Sequence, residues 1–361
     1  MKRIGILTFQ NTLNFGAALQ NYALFHVLES MAFDVDVINY RSEAIERNER
    51  VVPVLRPKAL FKYIALKGKA RRFSKFKERL RFTGSCRADG MPETCDRFDC
   101  VVVGSDQVWN TKLTHSDSIY FLDFIDDPRR CKTYAASMGY EELPPCDFDL
   151  RPLISHFSSI LVREKSAAET IARECPDAPM PHAVLDPTLL AERKVWDDIE
   201  QTPGYALKAP FVLVYAVSET AAAFEAAHRL ADASGARIIN VRSYGFKHVP
   251  GVKSVLNVSP EEYLGLFAHA QATVVSSFHG LCFSIINHRD FYFSGQTSGK
   301  NTNSRATDLM DALGISGRTV QDLANGTVKP VDWDDVEARL SALRAESLRL
   351  LKESLADVEG R

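Results

Sequence analysis

Residues 3–39, RIGILTFQNTLNFGAALQNYALFHVLESMAFDVDVIN, contain the pattern that decides the fold of this chain. Residues 4–9 form a nearly continuous apolar run, which is typical of a strand buried on both faces. A polar loop at 10–16 follows, and apolar residues then recur every three or four positions, which predicts a helix over about 17–31. Residues 35–39 supply a second strand. This strand–helix–strand order predicts a right-handed crossover between parallel strands.

The alternation of strands and helices continues along the chain and then starts again in its second half. Further strands are predicted at residues 99–104, 133–137, 160–163, 184–186, 211–216, 237–241, 272–276 and 291–293, with helices at 219–234, 260–270 and 279–287. The pattern and the 361 residues predict an α/β fold with two domains, at residues 1–190 and 205–330. Residues 331–361 are predicted to form a long amphipathic helix, which could pack across both domains.

Composition excludes several classes of protein. Forty-four Lys and Arg balance forty-six Asp and Glu, so the formal charge of −2 argues against a general nucleic-acid binder. Seven scattered cysteines without a Cys-x-x-Cys pair indicate neither a zinc knuckle nor a redox motif, and they fit a reducing cytosol. No apolar run approaches the ~20 residues of a membrane span, and the run at 4–9 is too short for a signal peptide. We therefore expect a soluble, cytoplasmic protein.

Residues 56–81 interrupt the rhythm with eleven Lys or Arg and a single acidic residue, Glu78. Apolar residues punctuate this basic run, which predicts one or two amphipathic helices. Two interpretations stay open: a solvated helical face, or a patch that attracts an anionic lipid surface or a phosphorylated substrate.

Polar segments follow several of the predicted strands, where ligands bind in open α/β sheets. The loop at 10–16 contains Asn14 and Gly16, and it either presents amides to an anion at a helix N-terminus or only starts the helix. The segment 104–110 contains Asp106 among other polar residues, which are costly at a strand end unless they contact something polar. The alternative interpretation of this segment is a structural one, an Asx-type turn with Trp109 packed as a lid on the core.

Two further strand ends carry an arginine and a histidine. Arg163 follows an apolar strand and suits a bidentate grip on a carboxylate or phosphate, or else an ion pair with an acid such as Glu164 or Glu141. His279 stands between a predicted strand and a helix, beside Ser277, where it suits acid–base chemistry. No metalloprotease, P-loop, nucleophile-elbow or dinucleotide-binding motif is present, so those enzyme classes lack support.

Together these segments resemble, in order and spacing, the polysaccharide pyruvyl transferase family. The opening Lys2-Arg3-Ile4-Gly5-Ile6-Leu7-Thr8-Phe9 with Asn14-Phe15-Gly16-Ala17, then Gly104-Ser105-Asp106-Gln107-Val108-Trp109, Val162-Arg163-Glu164-Lys165-Ser166, Leu185-Asp186-Pro187-Thr188, Ser277-Phe278-His279-Gly280 and Asn303-Ser304-Arg305 carry the likeness. It covers about residues 3–315. The resemblance implies two Rossmann-like domains facing a cleft, as in GT-B glycosyltransferases. It also implies transfer of pyruvate from phosphoenolpyruvate to two hydroxyls of one sugar, which forms a cyclic ketal and releases phosphate.

The resemblance also suggests roles for individual residues. It places Arg163 and His279 around phosphoenolpyruvate, with His279 as acid/base or phosphate contact, while Asp106 is the candidate to orient or deprotonate the sugar hydroxyl. Some relatives carry Arg where this chain has Ser277, so Arg305, Lys300 or the basic run could supply that charge. Further substrate contacts are expected from Asn14, Gly16, Ser105, Gln107, Ser277, Phe278 and Arg305.

The implied reaction requires no metal and no bound cofactor, with assistance by Mg²⁺ left open. The expected partners are phosphoenolpyruvate and a sugar or lipid-linked oligosaccharide acceptor, without nucleic acid. The sequence predicts no particular oligomeric state. A lipid-linked acceptor would place the protein at the inner face of the cell membrane, in contact through residues 56–81. Two other functions stay open: a nucleotide-sugar glycosyltransferase, for which Glu219 is a weak ribose-binding candidate, and a non-catalytic relative that binds phosphorylated metabolites.

Overall fold

Two parallel β-sheets, one from each half of the chain, form the framework of the computed structural model. The structure describes residues 1–48, 57–217, 219–242, 248–295 and 304–359. With its α/β architecture and long C-terminal helix, it confirms the predicted fold class.

The first sheet is built around the opening strand. Its strands are β1 (Arg3–Leu7), β2 (Asp34–Val37), β3 (Cys100–Val103) and β4 (Cys131–Thr133), in the order β2-β1-β3-β4 and all parallel. Isolated bridges join this sheet to the parallel pair β5 (Leu161–Val162) and β6 (His182–Ala183). Helix α1 (Phe15–Ser30) crosses from β1 to β2, so the predicted parallel crossover is confirmed.

The second sheet contains β7 (Phe211–Tyr215), β8 (Arg237–Val241), β9 (Val252–Val255), β10 (Ala272–Val275) and β11 (Asp290–Phe293). Its strands are parallel in the order β11-β10-β7-β8-β9. The sequence pattern missed β9, because this edge strand is only partly buried and lacks a continuous apolar run.

Two predicted strands are displaced in the first sheet. The strand expected at 133–137 is instead β4 at Cys131–Thr133, because Ala135 adopts a positive φ of 54° that interrupts regular pairing. The strand expected at 184–186 is β6 at His182–Ala183. It ends early because the Leu185 amide donates to Ser347 Oγ and Asp186 caps the next helix.

The remaining helices cover the sheets and connect them. They are α2 (Glu43–Asn48), α3 (Pro57–Lys77), α4 (Met91–Asp96), α5 (Thr111–Thr114), α6 (Leu150–Ser155), α7 (Lys165–Glu174), α8 (Pro187–Leu190), α9 (Arg193–Asp197), α10 (Ala221–Ser234), α11 (Pro260–His269), α12 (Phe278–Ile286), α13 (Ser304–Ala312), α14 (Val320–Asn325) and α15 (Trp333–Glu359). Among these helices of the described chain, none combines the length and apolar character needed to cross a bilayer.

The C-terminal helix α15 contacts both sheet regions. Near its start Glu337 Oε1 lies 2.8 Å from His288 Nε2, and near its end Asp357 pairs with Lys132 of β4 at 3.0 Å. One buried apolar cluster runs from β1 and α1 through α8 to β7 and α12. The division into residues 1–190, 205–330 and 331–361 stays a prediction.

Candidate active site

Two helix N-termini, one from each half of the chain, meet at the candidate site. Gly16 in the first turn of α1 lies so close to His279 in the first turn of α12 that a Cβ at position 16 would fall 2.1 Å from His279 Nδ1. The neighbouring Phe15 ring stacks on Tyr263 at 4.6 Å, which fixes α1 against the second half. The structure thus brings together two residues that the sequence singled out separately, and it explains why position 16 needs a glycine.

Side chains cap both of these helix ends. Asn14 Oδ1 accepts hydrogen bonds from Gly16 N at 2.8 Å and Ala17 N at 3.3 Å, and Ser277 Oγ accepts from Gly280 N at 2.9 Å. These hydrogen bonds fit the alternative interpretation, in which this loop starts α1, while contact of Asn14 and Gly16 with a substrate stays a prediction. Asn14 and Ser277 position the two helix ends, whose positive partial charge stays available to a nearby anion.

Asp186 is the centre of the polar cluster at this point. Its Oδ2 accepts from Ser105 Oγ at 2.7 Å and from Arg163 Nη1 at 3.1 Å, and His279 Nε2 lies 3.5 Å away. Its Oδ1 accepts from both the amide and the hydroxyl of Thr188. Segments predicted from four different strand ends thus converge on one carboxylate.

The charge of Asp186 is strongly stabilised. Burial alone would raise its pKa, but the charges of His279 and Arg163 and the hydrogen bond from Thr188 N outweigh burial and lower that pKa well below its usual range. Asp186 was not among the site residues predicted from the sequence, although it lies in a segment, residues 185–188, that carries the family resemblance. Its position after a predicted strand and directly before Pro187 was the available signal.

Two arginines share the carboxylate of Glu164. Arg163 Nε lies 3.3 Å from Glu164 Oε1, so the predicted alternative of an Arg163–Glu164 ion pair is present, and Arg305 Nε lies 3.9 Å from the same oxygen. Ser137 Oγ donates to that oxygen at 2.6 Å. Within the described residues, Arg163 Nη2, Glu164 Oε2 and Arg305 Nε are buried without a hydrogen-bond partner.

The two guanidinium groups differ in their electrostatic surroundings. Burial opposes the charge of Arg163, but the carboxylates of Glu164 and Asp186 outweigh it and raise the pKa of Arg163. Burial and the neighbouring charge of Arg163 lower the pKa of Arg305. In the amide orientation that satisfies both groups, Gln107 accepts hydrogen bonds from both terminal nitrogens of Arg305, at 3.1 and 3.0 Å. An added anion would therefore relieve the unfavourable environment of Arg305.

The segment 104–110 contributes residues both to the site and to the core. Asp106 is partly buried at a φ of 82°, a conformation that costs energy in a residue other than glycine, and its Oδ1 accepts from Gln107 N at 2.8 Å. Its charge contributes to the raised pKa of Arg163. Trp109 is buried in the core, stacked 5.6 Å from Phe121, as the alternative interpretation of this segment expected.

A cavity of ≈ 150 Å³ opens beside this cluster. Its lining combines the charged residues of the cluster with apolar and acidic side chains of α13 and α15, namely Arg163, Glu164, Asp186, Arg305, Asp308, Leu309, Leu343 and Glu346. The Arg163 guanidinium lies 4.8 Å from the centre of the Phe278 ring, which forms part of the wall. In the part of the chain that the structure describes, no group of three or more His, Cys, Asp or Glu is arranged to hold a metal ion. Lys300 lies outside the described residues.

Glu219 lies at the carboxyl edge of the second sheet and is bonded on both sides. Its Oε1 accepts from Asn240 Nδ2 at 2.9 Å, and its Oε2 accepts from Arg242 Nη2 at 2.7 Å. Glu219 therefore serves the sheet edge in this conformation, and the ribose-binding role gains no support.

Comparison with solved structures shows the fold of the chain. A putative UDP-N-acetylglucosamine 2-epimerase from Listeria monocytogenes is 11% identical with a TM-score of 0.55, covering 95% of this chain and 90% of that one. The UDP-GlcNAc 2-epimerase from Neisseria meningitidis bound to UDP-GlcNAc is 10% identical with a TM-score of 0.53, covering 99% and 100%. Such identities establish a shared GT-B-like architecture and nothing about the reaction.

Comparison of sequences shows the family. No curated protein matches the chain at a significant level. The family model for polysaccharide pyruvyl transferase matches residues 14–294, which include Asn14, Asp106, Arg163, Asp186 and His279. The match covers most of the chain, so the resemblance seen in the motifs is confirmed. The chain belongs to the polysaccharide pyruvyl transferase family and is a transferase.

Proposed function

We propose that the protein transfers pyruvate from phosphoenolpyruvate to two hydroxyls of one sugar in a polysaccharide or its precursor, forming a pyruvate ketal and releasing phosphate. The observation that carries this proposal is the pair of buried guanidinium groups, Arg163 and Arg305, which share one carboxylate oxygen of Glu164 and keep unbonded nitrogens. Such groups bind carboxylates and phosphates through charge-assisted hydrogen bonds.

The charge of the donor suits this cluster. Phosphoenolpyruvate carries a carboxylate and a phosphate on the same carbon, C2, and the cluster offers Arg163, Arg305 and the nearby His279. The N-terminus of α12 adds its partial positive charge. Arg305 takes the place of the arginine that some relatives carry at the position of Ser277, which here caps α12.

The size of the cavity supports a small donor. Its ≈ 150 Å³ lies below the about 300–1,000 Å³ that is usual for sites of larger organic ligands. Phosphoenolpyruvate, a three-carbon phosphate, suits a cavity of this size, whereas a sugar nucleotide needs a site in the larger range.

The chemistry needs one proton donor and one group that prepares the acceptor. His279 delivers a proton to the methylene carbon of the enol, and positive charge develops at C2. One sugar hydroxyl, oriented and deprotonated by Asp106, attacks C2. The C2–O bond to phosphate then breaks, and the leaving phosphate takes the proton held by Asp106. The second hydroxyl attacks C2 to close the ketal ring, and its proton passes to the now neutral His279, which restores both residues. His279 Nε2 lies 3.5 Å from Asp186 Oδ2, and this carboxylate stabilises the imidazolium that delivers the proton.

A donor assay tests the proposal directly. Purified protein is incubated with candidate glycans and either phosphoenolpyruvate or nucleotide sugars, and released phosphate or nucleotide is measured. We expect phosphate release from phosphoenolpyruvate that depends on the glycan. Turnover of nucleotide sugars alone would refute the proposal in favour of a glycosyltransferase, and donor binding without turnover of any glycan would favour the non-catalytic relative.

A matched pair of arginine variants tests the binding cluster. Arg305→Gln should weaken phosphoenolpyruvate binding about tenfold or more, since a hydrogen bond to a charged group contributes about 1.5–3 kcal/mol. Arg242→Gln removes a buried arginine from the other sheet edge and should leave the affinity within about twofold. Titration calorimetry measures both, and equal losses would remove Arg305 from the donor site.

A further inference from the structure

Helix α3 has an inner face that the protein uses for its own packing. Phe73 and Lys69 are buried there, with Lys69 Nζ 4.4 Å from the centre of the Phe15 ring. Arg72 crosses to the second half of the chain, where its Nη1 lies 2.8 Å from Glu262 Oε2. Part of the basic run of residues 56–81 therefore connects the two halves and is not available to an external partner.

The opposite face of α3 has a different composition. Ile64, Lys67, Arg71 and Lys75 follow one another at intervals of three and four residues, so they form one outer stripe along the helix. Ile64 is 60% exposed, and the three cations are exposed as well. The helix contains no Asp or Glu, and within the described ranges none of these three cations forms an ion pair. The outer stripe thus combines unneutralised positive charge with a protruding apolar side chain.

We propose that this outer stripe docks the protein on the surface of an anionic lipid bilayer. Exposed cations are drawn to anionic headgroups, and an apolar side chain on the same face enters the boundary between headgroups and acyl chains. A nucleic acid would attract the cations but offers Ile64 no apolar phase. The overall charge of −2 also disfavours a nucleic-acid partner.

Docking through α3 would hold the whole molecule in one orientation, because its inner face contacts both halves. The C-terminal end of the helix lies at the loop that leads into the candidate site: Lys77 Nζ is 3.0 Å from Asn11 Oδ1 and 3.3 Å from Gln10 Oε1. If the acceptor is lipid-linked, which rests on the proposed function, this arrangement places the loop beside the membrane that carries it. The docking itself does not depend on the reaction.

Vesicle flotation with the full-length chain tests the docking. Vesicles of phosphatidylcholine with phosphatidylglycerol are compared with vesicles of phosphatidylcholine alone, at low and high salt. The stripe variant is Lys67→Gln, Arg71→Gln and Lys75→Gln combined. The control variant, Lys112→Gln, Lys208→Gln and Lys352→Gln combined, removes the same charge from exposed lysines elsewhere. Thermal unfolding verifies that all variants fold.

We expect the wild type to bind anionic vesicles and release them at high salt. The stripe variant should bind about 100-fold more weakly, since each Lys or Arg near an anionic surface contributes about a factor of five. The control should bind like the wild type, whereas Ile64→Ser should weaken binding to anionic vesicles. Equal loss in stripe and control variants, no vesicle binding by the wild type, or no effect of Ile64→Ser on vesicle binding would overturn the proposal. None of these outcomes depends on pyruvyl transfer.

Discussion

Each of the two sheets presents a buried arginine–carboxylate pair at its carboxyl edge, and the two pairs differ in what they leave unbonded. In the second sheet both oxygens of Glu219 accept hydrogen bonds, from Asn240 and Arg242. In the first sheet Arg163 Nη2 and Glu164 Oε2 have no partner in the described chain, and a second arginine lies beside them. The proposed donor site therefore lies at the pair whose carboxylate keeps an unbonded oxygen in the described chain and which has a second arginine beside it. The predictions below test this difference.

The largest effect is expected at the imidazole that joins the two halves. His279→Gln should lower kcat about 10²–10⁴-fold, since this range is typical for loss of a general acid–base group. His288→Gln is the matched control, because that histidine is 44% exposed and contacts α15 through Glu337 and the stacked ring of Trp333, away from the candidate site. It should retain activity within about twofold. Phosphate release from phosphoenolpyruvate measures both variants, and equal activity of the two would exclude His279 from catalysis.

Asp186→Asn should damage stability more than any surface change. Removing this carboxylate takes away one of the two acids that neutralise the buried Arg163, and breaking such a pair costs about 3–5 kcal/mol of unfolding free energy. Asp197→Asn is the control, since it breaks an exposed pair with Arg193 and should cost less than about 1 kcal/mol. Urea unfolding at neutral pH compares them, and similar midpoints for both variants would contradict the central role of Asp186.

The Asp186 effect also has a defined pH dependence. The folded state lowers the pKa of this group, so its contribution to stability is present above the ordinary carboxyl value of about 3.9 and is lost as the pH falls below it. The difference in unfolding free energy between wild type and Asp186→Asn should therefore be largest near neutral pH and shrink below about pH 4. Unfolding curves at several pH values measure it, and a difference independent of pH would refute the assignment.

The sequence predicted the parallel crossover and the segments that meet at the site, because apolar runs and polar strand ends are local signals. It did not predict that Asp186 joins four of these segments, since that depends on how distant strands align. The sequence pattern also missed the edge strand β9, because pairing with β8 and not an apolar run of its own makes it a strand. Glu219 shows the converse: its charge suggested a ligand, but only the structure shows that neighbours occupy both oxygens.

A smaller loss is expected when the contact between the two helix ends is disturbed. Gly16→Ala would place a Cβ 2.1 Å from His279 Nδ1, so the imidazole or the helix must move. A displacement of about 1 Å costs about 100-fold in rate, which should appear in kcat. Gly84→Ala is the control, because a Cβ there meets nothing within 4 Å. Full activity of Gly16→Ala would show that His279 needs no fixed position.

The smallest effect on activity is expected in the second sheet. Glu219→Gln should leave kcat/KM for pyruvyl transfer within about twofold while lowering stability by about 1–3 kcal/mol, because an NH₂ group replaces one carboxylate oxygen and either Arg242 or Asn240 loses its acceptor. Phosphate release and thermal unfolding of the same preparation separate the two quantities. If activity instead fell more than tenfold with the fold intact, Glu219 would have to act on a substrate, and the contrast between the two sheet edges would fail. If Glu219 is purely structural, stability should fall while kcat/KM stays within about twofold. If Glu219 acted in catalysis, kcat/KM should fall as well.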